Sequence, residues 1–250
     1  MLKAEIFQMK KNNTDSINGK RTELEILYED NHLIIVNKRV SDLVQKDQTG
    51  DEALDDILKK YLKEKYNKPG NVFIGIPHRL DRPVSGVVVF TKTGKALSRM
   101  TEMFKNKDIK KTYWAVVKNE PPQHEDLLVH HLVRNTRQNK SHAYNSKRRN
   151  SKEAQLKYKI LAKSDKYYLL EIELITGRHH QIRSQLSKIE CPIRSDLKYG
   201  YPRSSKNGGI FLHARNISFE HPIKKTELDI SASVPDDPLW RAFEDMVEMN

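Results

Sequence analysis

The chain has 250 residues, enough for one large domain, and its 45 Lys and Arg against 33 Asp and Glu leave a net charge of +12. That surplus favours a polyanionic partner, nucleic acid ahead of an anionic membrane surface. No apolar run approaches the roughly 20 residues of a membrane-spanning helix. The first residues carry no apolar signal segment, and the single cysteine, Cys191, leaves neither an internal disulfide nor a Cys-His metal pattern. A soluble, cytoplasmic, monomeric protein that holds no metal is expected.

Residues 1–22 are polar, with Lys10, Lys11, Asn12 and Asn13 ahead of Ser16 and Gly19. They predict a flexible arm before an ordered domain over residues 23–250. Glu25-Ile26-Leu27-Tyr28 and Leu33-Ile34-Ile35-Val36, separated by Glu29-Asp30-Asn31-His32, read as a hairpin, and Lys38 follows its second strand as a phosphate-contact candidate. Leu54, Ile57, Leu58, Tyr61 and Leu62 recur at helical spacing and predict an amphipathic helix over residues 51–66.

Residues 75–92 are the first stretch that carries chemistry. Asp81 sits between Arg79 and Arg82, with Pro77, Pro83 and Gly86 shaping the backbone, and Val87, Val88, Val89 and Phe90 follow as a buried strand. Two flanking cations favour the charged form of the carboxylate, which suits a nucleophile or a base better than a proton donor. The same residues also describe a surface ion-pair cluster at a strand end, a bland alternative.

Thr93 is placed to cap a helix that buries Ala96, Leu97, Met100, Met103 and Phe104. A strand with alternating faces follows over residues 111–118, with Tyr113 opposite Trp114. Residues 134–152 then hold Arg134, Arg137, Lys140, Lys147, Arg148, Arg149 and Lys152 without an acid, and predict a basic loop, either a solvated charge run or a flexible arm that neutralises phosphates. Residues 156–163 and 167–175 alternate as two antiparallel strands joined at Ser164-Asp165.

Gly177-Arg178-His179-His180-Gln181-Ile182-Arg183 opens the second informative stretch, a helix with Ile182, Leu186 and Ile189 on its packed face. Arg183 lies at the edge of that face, within reach of a buried acid. A loop runs from Cys191 to Gly200, and two more strands lie over residues 211–222 and 226–231. A last helix begins at Pro238, capped by Asp237, and buries Leu239, Phe243, Met246 and Val247.

His78-Arg79-Leu80-Asp81-Arg82 with Ser85-Gly86 resembles the catalytic motif of the RluA branch of the RNA pseudouridine synthases. Residues 177–183 with Pro192-Ile193, Asp196 and Tyr199-Gly200 resemble its second signature, and Leu212-His213-Ala214 with Phe219, His221 and Pro222 its third. Lys111-x-Tyr113 also fits. The resemblance spans residues 27–222 in the expected order. Pro83 and Val84 depart from it where the family has an acid and Thr, Gln185 where it commonly has His, and Glu190 and Ser195 where it has Gly.

The resemblance implies an α+β fold, a mixed, largely antiparallel bent sheet flanked by helices, and isomerisation of uridine in tRNA or rRNA without a cofactor. It implies that Asp81 is the reacting carboxylate, Arg183 its partner, and Tyr113 the ring that stacks on the base, with Arg79 filling the space left by a flipped nucleotide. His78, Arg82, Arg178, His180, Gln181, Lys38, Arg148 and Arg149 are the remaining RNA-contact candidates. Many members of the family carry a small N-terminal RNA-binding domain, for which twenty polar residues are too few. Two other classes remain in view: an RNA-binding module without catalysis, and a glycoside hydrolase, which would require a second carboxylate.

Overall fold

Ten strands and four helices make up a computed structural model that describes residues 24–249; the arm expected over residues 1–22 lies outside the described residues. The strands are β1 (Glu25–Glu29), β2 (Leu33–Lys38), β3 (Ser85–Thr91), β4 (Lys110–Val117), β5 (Glu125–Asn135), β6 (Lys140–Tyr144), β7 (Lys152–Lys163), β8 (Tyr168–Leu174), β9 (Leu212–Glu220) and β10 (Glu227–Ser231). The helices are α1 (Leu54–Lys65), α2 (Gly94–Asn106), α3 (Gln181–Lys188) and α4 (Pro238–Glu248). All strands join one sheet in the order β1-β2-β3-β9-β4-β8-β7-β5-β6, with β10 on the remaining side of β9. The expected mixed, largely antiparallel sheet is therefore present. Bulges at Ile26/Tyr28, Thr112/Tyr113 and Ile160/Ala162 add local twist and bend it.

One pairing is parallel, β3 with β9, and it is two residues long: Ser85 opposite His213 and Gly86 opposite Ala214. This seam divides the sheet into two antiparallel wings. Gly86 makes it possible, because its φ is +114° and a Cβ there would run into the backbone of Ala214. Across the seam the Ser85 hydroxyl donates to His213 Nδ1 at 2.9 Å, while His213 Nε2–H donates to the Ala232 carbonyl at 3.3 Å.

The helices bury the stripes their periodicity predicts. α1 covers one wing with Leu54, Leu58 and Leu62, and α2 seats Ala96 and Met100 against Leu33, Val87 and Val89, with the Thr93 side chain accepting from the Ala96 N–H. In α4, Trp240 joins Phe243 as the fully buried pair and stacks on Phe211, while Leu239, Met246 and Val247 pack at the margin. The Asp237 carboxylate caps that helix through the Leu239 N–H.

The basic stretch corrects the reading of residues 134–152 as a loop. β5 and β6 form a hairpin with its turn at residues 136–139, and only residues 145–151 are irregular. The consecutive apolar residues Leu127, Leu128 and Val129 hide the alternation: Leu128, His130 and Leu132 face inward, while Leu127 and Val129 are exposed.

Candidate active site

Beyond Gly86 the strand β9 diverges from β3, and the segment preceding Asp81 fills the gap. Gly75 and Thr91 exchange both backbone hydrogen bonds, at 2.8 and 2.9 Å, and His78 Nε2 accepts the Val89 N–H at 2.9 Å. From the other side Lys38 Nζ donates to the carbonyls of Arg39, Arg82 and Val84 at 2.8, 3.1 and 2.7 Å. The loop carrying Asp81 is thus fastened to β2 and β3 on both flanks, which is how a rigid scaffold holds a reactive side chain.

Asp81 is met by the start of α3. Arg183 Nη1 lies 3.1 Å from Asp81 Oδ2, and its Nε and Nη2 form a two-pronged pair with Asp196 at 2.7 and 2.8 Å. One guanidinium thus serves two carboxylates. Although burial opposes it, the charge of Arg183 is reinforced by Asp196 and then by Asp81, so its pKa is raised. His180 Nε2 also faces Asp81 Oδ2, at 3.4 Å. Both contacts fall on Oδ2, so Oδ1 is the oxygen left for a reacting partner, and 31% of the side chain stays exposed.

A cleft of about 600 Å³ opens over Asp81, a size ordinary for a ligand site. Arg79, Phe104, Lys105, Lys107, Lys111, Tyr113, Arg134, Gly177 and Arg178 are among the residues that line it. Tyr113 sits beside the β4 bulge, a feature that re-aims side chains. Burial, and then the charge of Asp81, push its pKa upward, so the phenol stays neutral. A carboxylate at the floor of a cation-lined cleft, beside an aromatic ring, suits a reaction at the sugar of a flipped nucleotide.

The predicted residues separate into groups. Asp81, Arg183, Tyr113, Arg79, Arg178 and His180 converge on the cleft. Arg82 turns away and pairs with Asp51 at 2.6 Å, so the cations beside the carboxylate are not both of its chain neighbours. Lys38, at 1% exposure with its ammonium on three carbonyls, is structural, which corrects its reading as a phosphate contact; burial brings its pKa down to about 7. Lys92, just past the end of β3, pairs with Glu29 at 2.9 Å.

His78 and Gln181 line the cleft, with His78 Nε2 and both amide atoms of Gln181 engaged by the protein. His78 anchors β3 and stacks on Phe104, and Gln181 Oε1 accepts from Thr176 Oγ1 and the Arg178 N–H. Gln181, buried with both amide atoms bonded, is structural, in place of the RNA-contact role expected of it. Arg148 and Arg149 are exposed on the irregular segment outside the cleft, with the Arg148 guanidinium over the Tyr144 ring.

In the sequence Asp196 and Tyr199 stand only within the second signature, and Ser141 belongs to no motif. Their signal lies in pairing across long separations, which local pattern does not carry. The departures from glycine keep glycine-like backbone: Glu190 has φ +60° and Ser195 φ +70°. Gln185 is fully buried and donates to the carbonyls of Leu128 and Ala154.

Burial depresses the pKa of His78, His180 and His213 to about 3 each. Their unfolded value is near 6.5, so above that pH neither state binds the protons. Below it the unfolded chain gains protons that the folded chain refuses. Stability should hold above about pH 6.5 and fall below it, by up to about 1.4 kcal/mol per pH unit for each histidine. Urea titrations between pH 7.5 and 4.5 test this; a flat midpoint across that range would refute it.

Among the described residues no group of His, Cys, Asp or Glu is placed to hold a metal ion, and no helix is long and apolar enough to cross a membrane. The family model described as RNA pseudouridylate synthase matches residues 32–188. The tRNA pseudouridine synthase C of Vibrio parahaemolyticus is 30% identical, over 86% of this chain and 92% of its own length. The ribosomal large subunit pseudouridine synthase C of the same organism is 32% identical, over 86% of this chain and 67% of its own. The fold is similar to that of human RNA pseudouridylate synthase domain containing 4, with a TM-score of 0.73 at 23% identity, covering 90% of this chain and 93% of that one.

Proposed function

This chain belongs to the RNA pseudouridylate synthase family and isomerises uridine to pseudouridine in RNA, and we propose that it does so with Asp81 as its reacting carboxylate, on a nucleotide extruded from tRNA or rRNA. The ion pair between Asp81 and Arg183 at the floor of the cleft carries the proposal. The reaction breaks the bond from C1′ to N1, turns the freed uracil, joins C5 to C1′, and loses the proton on C5 while N1 takes one up. Oxidation state is unchanged and atoms balance within the substrate, so no cofactor enters.

Asp81 Oδ1 acts either on C1′ as a nucleophile or on a sugar proton as a base. Arg183 keeps Oδ2 engaged in either case, so that Oδ1 is the oxygen that acts. Tyr113 supports the detached base so that it turns in place, and Arg79 enters the space it leaves in the RNA stack. Lys105, Lys107, Lys111, Arg134 and Arg178 supply the positive rim for the backbone. The same rim leaves the choice between the two RNA classes to contacts outside the cleft. We take the protein to work as a cytoplasmic monomer.

Incubating the purified protein with transcribed tRNAs and ribosomal RNA fragments, followed by site mapping of pseudouridine, tests the reading. Conversion of one or a few uridines supports it, and no conversion in either class removes it. Neutralising Arg148 and Arg149 together should weaken RNA binding and reduce the slope of log affinity against log salt by about 1.5. A slope equal to that of the parent would make this segment a bystander.

A further inference from the structure

His180 is an αL residue, φ +50°, at the N-terminal end of α3, and nothing in its own backbone fixes which ring nitrogen carries the proton. The neighbours do. The Ser141 N–H donates to Tyr199 Oη at 2.8 Å, which leaves the phenolic hydrogen for His180 Nδ1, 3.0 Å away. An imidazole that accepts at Nδ1 carries its hydrogen on Nε2, and Nε2 is the atom 3.4 Å from Asp81 Oδ2. At that distance the N–H is an oriented dipole, poised to shorten into a hydrogen bond when charge is rearranged.

The other end of this chain of contacts is the β5–β6 hairpin. His179 stacks on His180 with centroids 3.8 Å apart and is bracketed by Ser141 Oγ at 2.9 Å and Asn139 Oδ1 at 3.1 Å. Lys198 Nζ closes the turn onto the Asn139 carbonyl at 3.2 Å, and the Tyr199 ring is covered by Lys140 and by Arg183. The charged groups that bear on His180 are therefore Asp81, Arg183 and Lys198, with His179 neutral beside it: burial, and then Arg134, hold the pKa of His179 below its usual value. Burial keeps Tyr199 protonated, with a pKa of about 12.

We propose that Tyr199 is a positioning residue that holds His180 in its Nε2–H form against Asp81, and that through Ser141 it ties the β5–β6 hairpin to the reactive carboxylate. The inference rests on the reading of Asp81 given above. Without the phenolic hydroxyl, His180 is free to move its hydrogen to Nδ1, which turns a lone pair toward Asp81 and repels it. The hairpin, with Arg137 in its turn and Lys140 at the start of β6, would then dock RNA without setting the carboxylate.

Tyr199→Phe should lower kcat on the order of 10- to 100-fold while KM for RNA stays within about threefold, since misplacement acts on the reacting atoms and not on the rim. His180→Ala should lose as much. His180→Gln, whose amide can still donate toward Asp81, should recover most of it. The double variant Tyr199→Phe with His180→Ala should be no worse than either alone, because both remove one chain of contacts. Additive losses, or a Tyr199→Phe enzyme with parental kcat, overturn the proposal.

Nitrogen-15 spectra of the substrate-free protein provide a reading that needs no turnover. His180 should show an acceptor-type Nδ1 and an N–H-type Nε2 in the parent, and mixed forms in Tyr199→Phe. The opposite tautomer in the parent overturns the proposal even if the enzyme is active. A parent that converts no uridine, with the expected tautomer in place, would remove the functional reading and leave the His180 arrangement standing.

Discussion

Asp81→Asn is expected to abolish pseudouridine formation, by about 10⁴-fold or more, the scale on which removal of a reacting group acts. At about 1.4 kcal/mol per tenfold that is more than 5 kcal/mol of transition-state stabilisation. The variant should fold, for a reason visible around Arg183. Its guanidinium keeps the two-pronged pair with Asp196 when the charge of Asp81 is lost, so no buried cation is stranded. RNA affinity should stay equal or tighten slightly, since the change removes an anion from a cleft rimmed by lysine and arginine. Single-turnover assays with filter binding on the same samples separate the two effects. Residual conversion within about tenfold of the parent would show that another group does the chemistry.

The second large effect is on the fold. Gly86→Ala places a methyl group against the Ala214 backbone and asks a non-glycine residue to adopt φ +114°. Backbone strain costs about 1–3 kcal/mol and overpacking a similar amount, so a loss of about 4 kcal/mol is expected. For a domain of this size that corresponds to a fall in Tm on the order of 10 °C. Activity should fall with it at temperatures where the fold survives, because the seam sets the distance between β3 and β9. Thermal unfolding by circular dichroism checks this, and a Tm within about 2 °C of the parent would contradict the close approach. Asp81→Asn and Gly86→Ala thus form opposite cases, one that loses chemistry on an intact fold and one that loses both.

Much of this was legible in the chain wherever a local pattern repeats. The β1–β2 hairpin, the stripes of α1 and α2, the caps at Thr93 and Asp237, and the alternation of β7 and β8 follow from spacing that one face must bury. The meeting of Asp81 with Arg183 is what the family resemblance implies; spacing alone puts Arg183 within reach of some buried acid, on a helix that the structure buries on every side. What escaped was set by tertiary placement. Lys38 reads as a surface cation until three carbonyls are seen to surround it. Arg82 is adjacent to Asp81 in sequence yet directed outward, since it sits inside the turn closed by the Val84 N–H on the Asp81 carbonyl and pairs with Asp51. The parallel contact of β3 with β9 leaves no trace in either strand's own composition, and the β5–β6 hairpin lay concealed under charges that decorate its outer face.

The wings that meet at the two-residue seam each own half of the chemistry. Asp81 enters from the wing of β1, β2 and β3, while Arg183, His180 and Tyr113 come from the other, and 102 residues separate the two members of the ion pair. The reaction centre is therefore complete only where the two wings are joined at the seam. Neither half, expressed alone, would hold a complete reaction centre, so complementation between fragments would register as turnover.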